Sequence, residues 1–138
     1  PAKTAKATDD RGWATYGDIG HLDDGGYLYL TDRASNMIIS GGVNIYPQEA
    51  EMVLIAHPDL HDVAVIAVHD DDMGERVKAF VQHRTEPADP ERAAQELIAY
   101  CRENLAHYKC PKELAFVDTL PRMDTGKLVK RKLLEGAL

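Results

Sequence analysis

Residues 63–68, VAVIAV, are apolar at every position, and no other stretch constrains the fold as tightly. A strand with one face in water alternates apolar and polar side chains, whereas a strand without polar positions is covered on both faces. The chain must therefore lay structure on both sides of a sheet. Residues 77–83 read as a second strand, joined to the first by the acidic turn 70–74, and residues 113–117 as a third. Residues 47–56 read as a short helix, with Pro47 in its first turn, Glu49 and Glu51 near its positive end, and Ala50, Val53 and Leu54 on one face. Asp89-Pro90 is an N-cap followed by proline at the first helical position. The helix it opens carries Ala94, Leu97, Ile98, Cys101 and Leu105 on one face and ends before Pro111. Residues 129–134 read as a last short helix. The expected class is α+β, a three-stranded sheet flanked by helices, with a core from about Ile38 to Leu134.

Ahead of this core, Asp23-Asp24-Gly25-Gly26 is a turn signal between residues 12–19 and 27–30, which predicts a two-stranded hairpin. Residues 32–44 are strand-like except for Ser40-Gly41-Gly42, where a bend or a close backbone approach is expected. Net charge is −7 and uneven. From Lys109 onward seven Lys/Arg face four acids, a segment of +3, which leaves −10 on the first 108 residues. An acidic body argues against duplex nucleic acid as a partner. The basic tail suits a small phosphorylated ligand, or is simply a solvated helix. No apolar run approaches the roughly 20 residues of a transmembrane helix. The start has neither Met nor the apolar core of a signal peptide and reads as cut from something longer. Two cysteines make no disulfide framework, so a cytoplasmic location is expected.

Three candidate sites carry little. His57 and His61 have helical metal spacing, but Pro58 intervenes and no third ligand follows, so a polar loop and no metal is expected. Asp70-Asp71-Asp72 lacks the spacing and terminal Glu of a calcium loop. Cys101 on an apolar helix face reads as a core side chain. Residues 120–127, LPRMDTGK, differ: Lys127 follows a flexible glycine on a loop before a basic helix, a mobile cation with Thr125 as a neighbouring hydroxyl. A Walker loop is excluded, because Pro121 stands where its first glycine would be. From the residues alone, an anion-handling lysine and an ordinary surface lysine stand equally open.

Residues 13–20 (WATYGDIG), 32–47 (DRASNMIISGGVNIYP) and 121–127 (PRMDTGK) together resemble, in order and spacing, the C-terminal motifs of the adenylate-forming enzymes. His57-Pro58, Gly74-Glu75 and residues 108–112 (YKCPK) look like further family positions. The resemblance implies an ATP-dependent acyl- or aryl-CoA synthetase, which activates a carboxylic acid as acyl-AMP, releases pyrophosphate, and transfers the acyl group to CoA after its small domain rotates. It implies that residues 1–33 end the large AMP-binding domain and residues 34–138 form the mobile C-terminal domain. It further implies that Asp18 accepts hydrogen bonds from the ribose hydroxyls of ATP, that Arg33 contacts ribose or phosphate, and that Lys127 bridges the carboxylate and the α-phosphate. Gly41 and Gly42 would line the pantetheine tunnel, and Ser35 would be the hinge.

Three positions depart from the family pattern: Ser35 replaces the usual Asp or Lys, Lys130 replaces an arginine at an expectedly exposed position, and Thr15-Tyr16 precede Gly17-Asp18. The phosphate loop, the acyl pocket and the residues for Mg2+ are absent from the chain. Expected partners are therefore ATP, a carboxylic acid, CoA and the chain's own large domain, with no turnover by the piece alone. Loading of a carrier protein is a second reading, and a non-catalytic binding module a third. The pattern at residues 38–45 resembles CoA ligases more than peptide-synthetase domains.

Overall fold

A computed structural model describes residues 7–135, so the reading of the first residues lies outside the described part. The structure holds two sheets. β1 (Asp18–Leu22) and β2 (Leu28–Arg33) form the antiparallel hairpin, turned by Asp23, whose carboxylate accepts from the amides of Gly25 and Tyr27. Its first strand begins later than expected, because Gly12 and Gly17, both at φ 80°, turn the chain and keep residues 12–17 out of the ladder.

The second sheet has five strands instead of three. β5 (Leu60–Asp70) and β6 (Gly74–His83) form its long antiparallel centre, and β7 (Glu113–Phe116) runs parallel to β6. The two additional strands come from the run around the glycines: β3 (Ile38–Ser40) and β4 (Val43–Ile45) pair across a turn at Gly41 and Gly42. β3 meets β6 at Ser40 and Gly74, whereas β7 takes the same edge of β6 at residues 78–81.

Helices α1 (Pro47–Ile55) and α2 (Pro90–Asn104) and the short α3 (Lys130–Glu135) complete the fold. Asp89 caps α2 as expected, its carboxylate accepting from the Arg92 amide at 3.0 Å. The VAVIAV run is covered on both faces. Val63 and Val65 pack with Leu54, Val81, Leu97 and Cys101, while Ala64 and Ile66 pack on the other side with Phe80, Leu120 and Leu133. Burying a Val, Ile or Leu side chain completely contributes about 1.5–3 kcal/mol, so these two layers hold the sheet. Among the described residues, every buried hydrophobic side chain lies between Ile38 and Leu133. The hairpin contributes none, and Leu22, Tyr27, Leu28, Tyr29 and Leu30 are exposed.

Candidate functional site

Lys127 stands on a small hairpin, exposed, with no ion pair of its own among the described residues. The backbone of the loop is held by hydrogen bonds. Gly126, at φ 81°, supplies the positive φ of a tight turn. Its amide donates to the Met123 carbonyl at 2.8 Å, and the Met123 amide donates to the Lys127 carbonyl at 2.9 Å. Arg122 donates to both carboxylate oxygens of Asp62, at 2.8 and 2.7 Å, and to the Gly126 carbonyl at 2.6 Å. Burial alone would raise the Asp62 carboxyl, and it is the largest single influence. The Arg122 hydrogen bond, the Val63 amide and the pull of the guanidinium charge together outweigh it and hold the group below the usual carboxylate range.

On the C-terminal side of the loop, Lys130 corrects a second expectation. It is mostly buried, at 19% exposure, and its ammonium lies 2.8 Å from Glu51 Oε1. That oxygen also accepts from the Val65 amide at 2.8 Å, so one carboxylate joins α1, β5 and the start of α3. The helix-dipole role anticipated for the acids of α1 is thus secondary. Glu49, too, has a specific partner, Lys109, at 2.5 Å.

Gly41 and Gly42 are exposed at φ 55° and 80°, and the Gly41 amide donates to the Met73 carbonyl at 2.9 Å. A Cβ on Gly41 would strike the end of the Met73 side chain, whereas one on Gly42 would meet nothing within 4 Å. Gly42 therefore borders open space.

Asp18 and Arg33 face each other across the β1–β2 ladder, with Arg33 Nε 3.4 Å from Asp18 Oδ1. The pair offers a carboxylate acceptor beside a forked donor, suited to the hydroxyls and phosphate of a nucleotide. Ser35 is exposed in a 3-10 turn, Ala34–Asn36, instead of a plain extended link. Asp32 holds that turn: its carboxylate accepts from the Arg33 amide at 2.7 Å, from Asn36 Nδ2 at 3.0 Å and from the Gln48 amide in the first turn of α1 at 3.2 Å.

The remaining candidates are occupied structurally. His57 lies past the end of α1 and packs edge-on against Tyr100. Asp70 accepts from the amides of Asp72 and Met73 in the β5–β6 turn. Cys101 is fully buried beside Cys110, and burial, together with that neighbour, pushes its thiol up to about 12.

Arg122 anchors the Lys127 loop at Asp62, and the Gly41 turn is anchored at Met73, beside Asp70 at the far end of the strand. Asp62 and Asp70 are eight residues apart, about 26 Å at the ordinary rise of a strand. The 3-10 turn lies between these ends, where Ser35, Asn36 and Met37 share a cleft with Val65, Ile66 and Ala67. Lys127 and the glycine turn thus serve different ends of one ladder.

Sequence reasoning missed Arg122–Asp62, Glu51 and Asp32. The first pair is 60 residues apart, and a lone acid before an apolar strand carries no local sign of its partner.

Residues 49–127 match the family model for the AMP-binding enzyme C-terminal domain. Over 133 residues the chain is 47% identical to the 2-succinylbenzoate–CoA ligase of Geobacillus kaustophilus, covering 96% of this chain and 26% of that protein. It is 46% identical over 127 residues to the long-chain-fatty-acid–CoA ligase FadD13 of Mycobacterium tuberculosis, covering 91% of this chain and 24% of that protein. An ATP-bound chimera, RpMatB-BxBclM, superposes with a TM-score of 0.90 at 40% identity, over 99% of this chain and 27% of the other. The chain spans about a quarter of the length of the curated relatives it matches.

Proposed function

The chain belongs to the AMP-binding enzyme C-terminal domain family, and from that premise we propose that it is the rotating lid of an ATP-dependent acyl- or aryl-CoA synthetase. Residues 34–138 are the lid, and residues 1–33 belong to the large AMP-binding domain on which it turns. The restriction of the core to residues 38–133 supports this boundary, as does the exposed apolar hairpin before it. The free thiols of Cys101 and Cys110 suit a cytoplasmic location. No helix among the described residues is long and apolar enough to cross a membrane.

In the first half-reaction a carboxylate oxygen attacks the α-phosphorus of ATP, a new O–P bond forms, and pyrophosphate leaves. The Lys127 ammonium lies between the two anions, opposes their repulsion and meets charge as it develops on the α-phosphate. Asp18 accepts from the ribose hydroxyls while Arg33 donates to ribose or phosphate. The lid then turns about Ser35 and exchanges one end of β5 for the other. The Gly41–Gly42 turn now borders the pantetheine arm of CoA, the thiol sulfur attacks the acyl carbonyl, and AMP leaves. Mg2+, when bound, would neutralise charge on the pyrophosphate, held by residues that the family resemblance puts in the large domain.

The observation that carries the reading is that the Lys127 loop is anchored at Asp62 and the glycine turn at Met73, at opposite ends of β5, a strand whose ordinary rise sets Asp62 and Asp70 about 26 Å apart. Its test is Lys127→Ala in a full-length ligase carrying this chain as its C-terminal domain. Loss of one preorganised electrostatic contact is expected to slow adenylation by about 10²–10³, while thioester formation from supplied acyl-adenylate continues. Pre-steady-state rates decide: equal loss in both steps would refute alternation, and an effect below about twofold in both would make Lys127 an ordinary surface residue.

A further inference from the structure

We propose that Arg122, anchored by Asp62, is the positioning residue for Lys127. The inference rests on the reading of Lys127 as the adenylation lysine. Arg122 divides its donors: Nε and Nη2 take the two oxygens of Asp62 at 2.8 and 2.7 Å, and Nη1 takes the Gly126 carbonyl at 2.6 Å. That carbonyl is the acceptor half of the peptide bond whose nitrogen belongs to Lys127. Because a peptide is planar, holding its oxygen fixes the plane from which the Lys127 side chain departs.

The anchor is itself fixed. Asp62 opens the buried run of β5, and its Oδ1 also accepts from the Val63 amide at 2.9 Å. A rigid fork therefore connects the core strand to the lysine's own backbone, and the glycine before the lysine keeps little of its freedom. Asp62 also balances the charge of Arg122. Lysine at position 122 could not reproduce this, since one ammonium lacks the planar fork that meets a carboxylate bidentately while a third donor reaches the carbonyl.

The test uses the full-length ligase with Arg122→Ala, Arg122→Lys, Asp62→Asn, Lys127→Ala and the double variant Arg122→Ala/Lys127→Ala. A misplacement of about 1 Å in a positioned group can cost about 10²-fold in rate. Arg122→Ala is expected to approach that loss in the adenylation kcat, and Arg122→Lys, the variant that best preserves folding, to lose about tenfold. The KM for ATP should stay within about twofold, and thioester formation from supplied acyl-adenylate should be unchanged, which a merely structural arginine would not produce. Since Arg122 acts through Lys127, the double variant should be no slower than Lys127→Ala alone. A multiplicative further loss in the double variant overturns the inference, as does wild-type adenylation by Arg122→Lys and Asp62→Asn while Lys127→Ala is slow. Wild-type adenylation by Lys127→Ala overturns the underlying reading and this inference with it.

Discussion

Gly42 permits two substitutions that cost the fold the same and the chemistry differently. At φ 80° any L-residue adopts the left-handed region, at about 1–2 kcal/mol. A Cβ there meets nothing within 4 Å, so alanine adds no clash within the domain, and leucine at this exposed turn is expected to extend into solvent. Both variants should lose about 1–2 kcal/mol of the 5–15 kcal/mol typical of a domain. Each kcal/mol lowers Tm by about 3–5 °C at this size. Thermal melts of this chain followed by circular dichroism measure that loss, and the two variants should coincide. In the full-length ligase they should separate: Gly42→Leu fills the proposed path of the pantetheine arm and slows thioester formation by about 10² or more, given the sensitivity of such steps to displacement, whereas Gly42→Ala slows it far less. Adenylation should follow the folded fraction in both. Equal effects of alanine and leucine on thioester formation would refute the tunnel assignment. A leucine melt far below the alanine melt would show that the turn is packed, not open.

Two other features yield sharp expectations. Lys130→Met removes one partner of a mostly buried ion pair with Glu51 and is expected to lower stability. Glu51→Ala should cost more, because it also strips the Val65 amide of its acceptor; urea titrations of the two variants read the difference directly. The Cys101 thiol, pushed up to about 12 by burial and by Cys110, carries roughly 10⁻⁴ thiolate at pH 8. A disulfide reagent should therefore modify Cys101 only at the rate of unfolding, as burial alone should ensure for Cys110, and rapid reaction of the native chain would contradict the described core.

Elements governed by local chemistry were legible in the chain itself. The unbroken apolar run announced a strand covered twice, Asp89-Pro90 announced the start of α2, and Asp-Gly announced the hairpin. What failed was the count of strands, because β3 and β4 have three residues each, too short to show a period of two. Lys130 was misjudged for a related reason. Its position on a basic terminal helix signals solvent, and only the fold brings Glu51 beneath it. The ordered motifs around Asp18, Arg33, Gly41 and Lys127 identified the family, but not how the lysine is held. Arg122, Asp62 and Asp32 act through contacts that close long loops, and one sequence carries no record of which residues meet.

The ladder of β5 and β6 also works as a ruler. Its graduation is the strand rise, about 3.3 Å per residue, and on the proposed mechanism its length would set how far apart the two ends of the lid work. A one-residue insertion between Asp62 and Asp70 would reverse which face each later side chain takes and destroy the two-layer core. A two-residue insertion would keep the faces but lengthen the ruler by about 7 Å, carrying the glycine turn beyond its station when the lysine is at its own. Length here is under tighter control than composition: apolar side chains along the strand can be exchanged at modest cost, but residues cannot be added or removed.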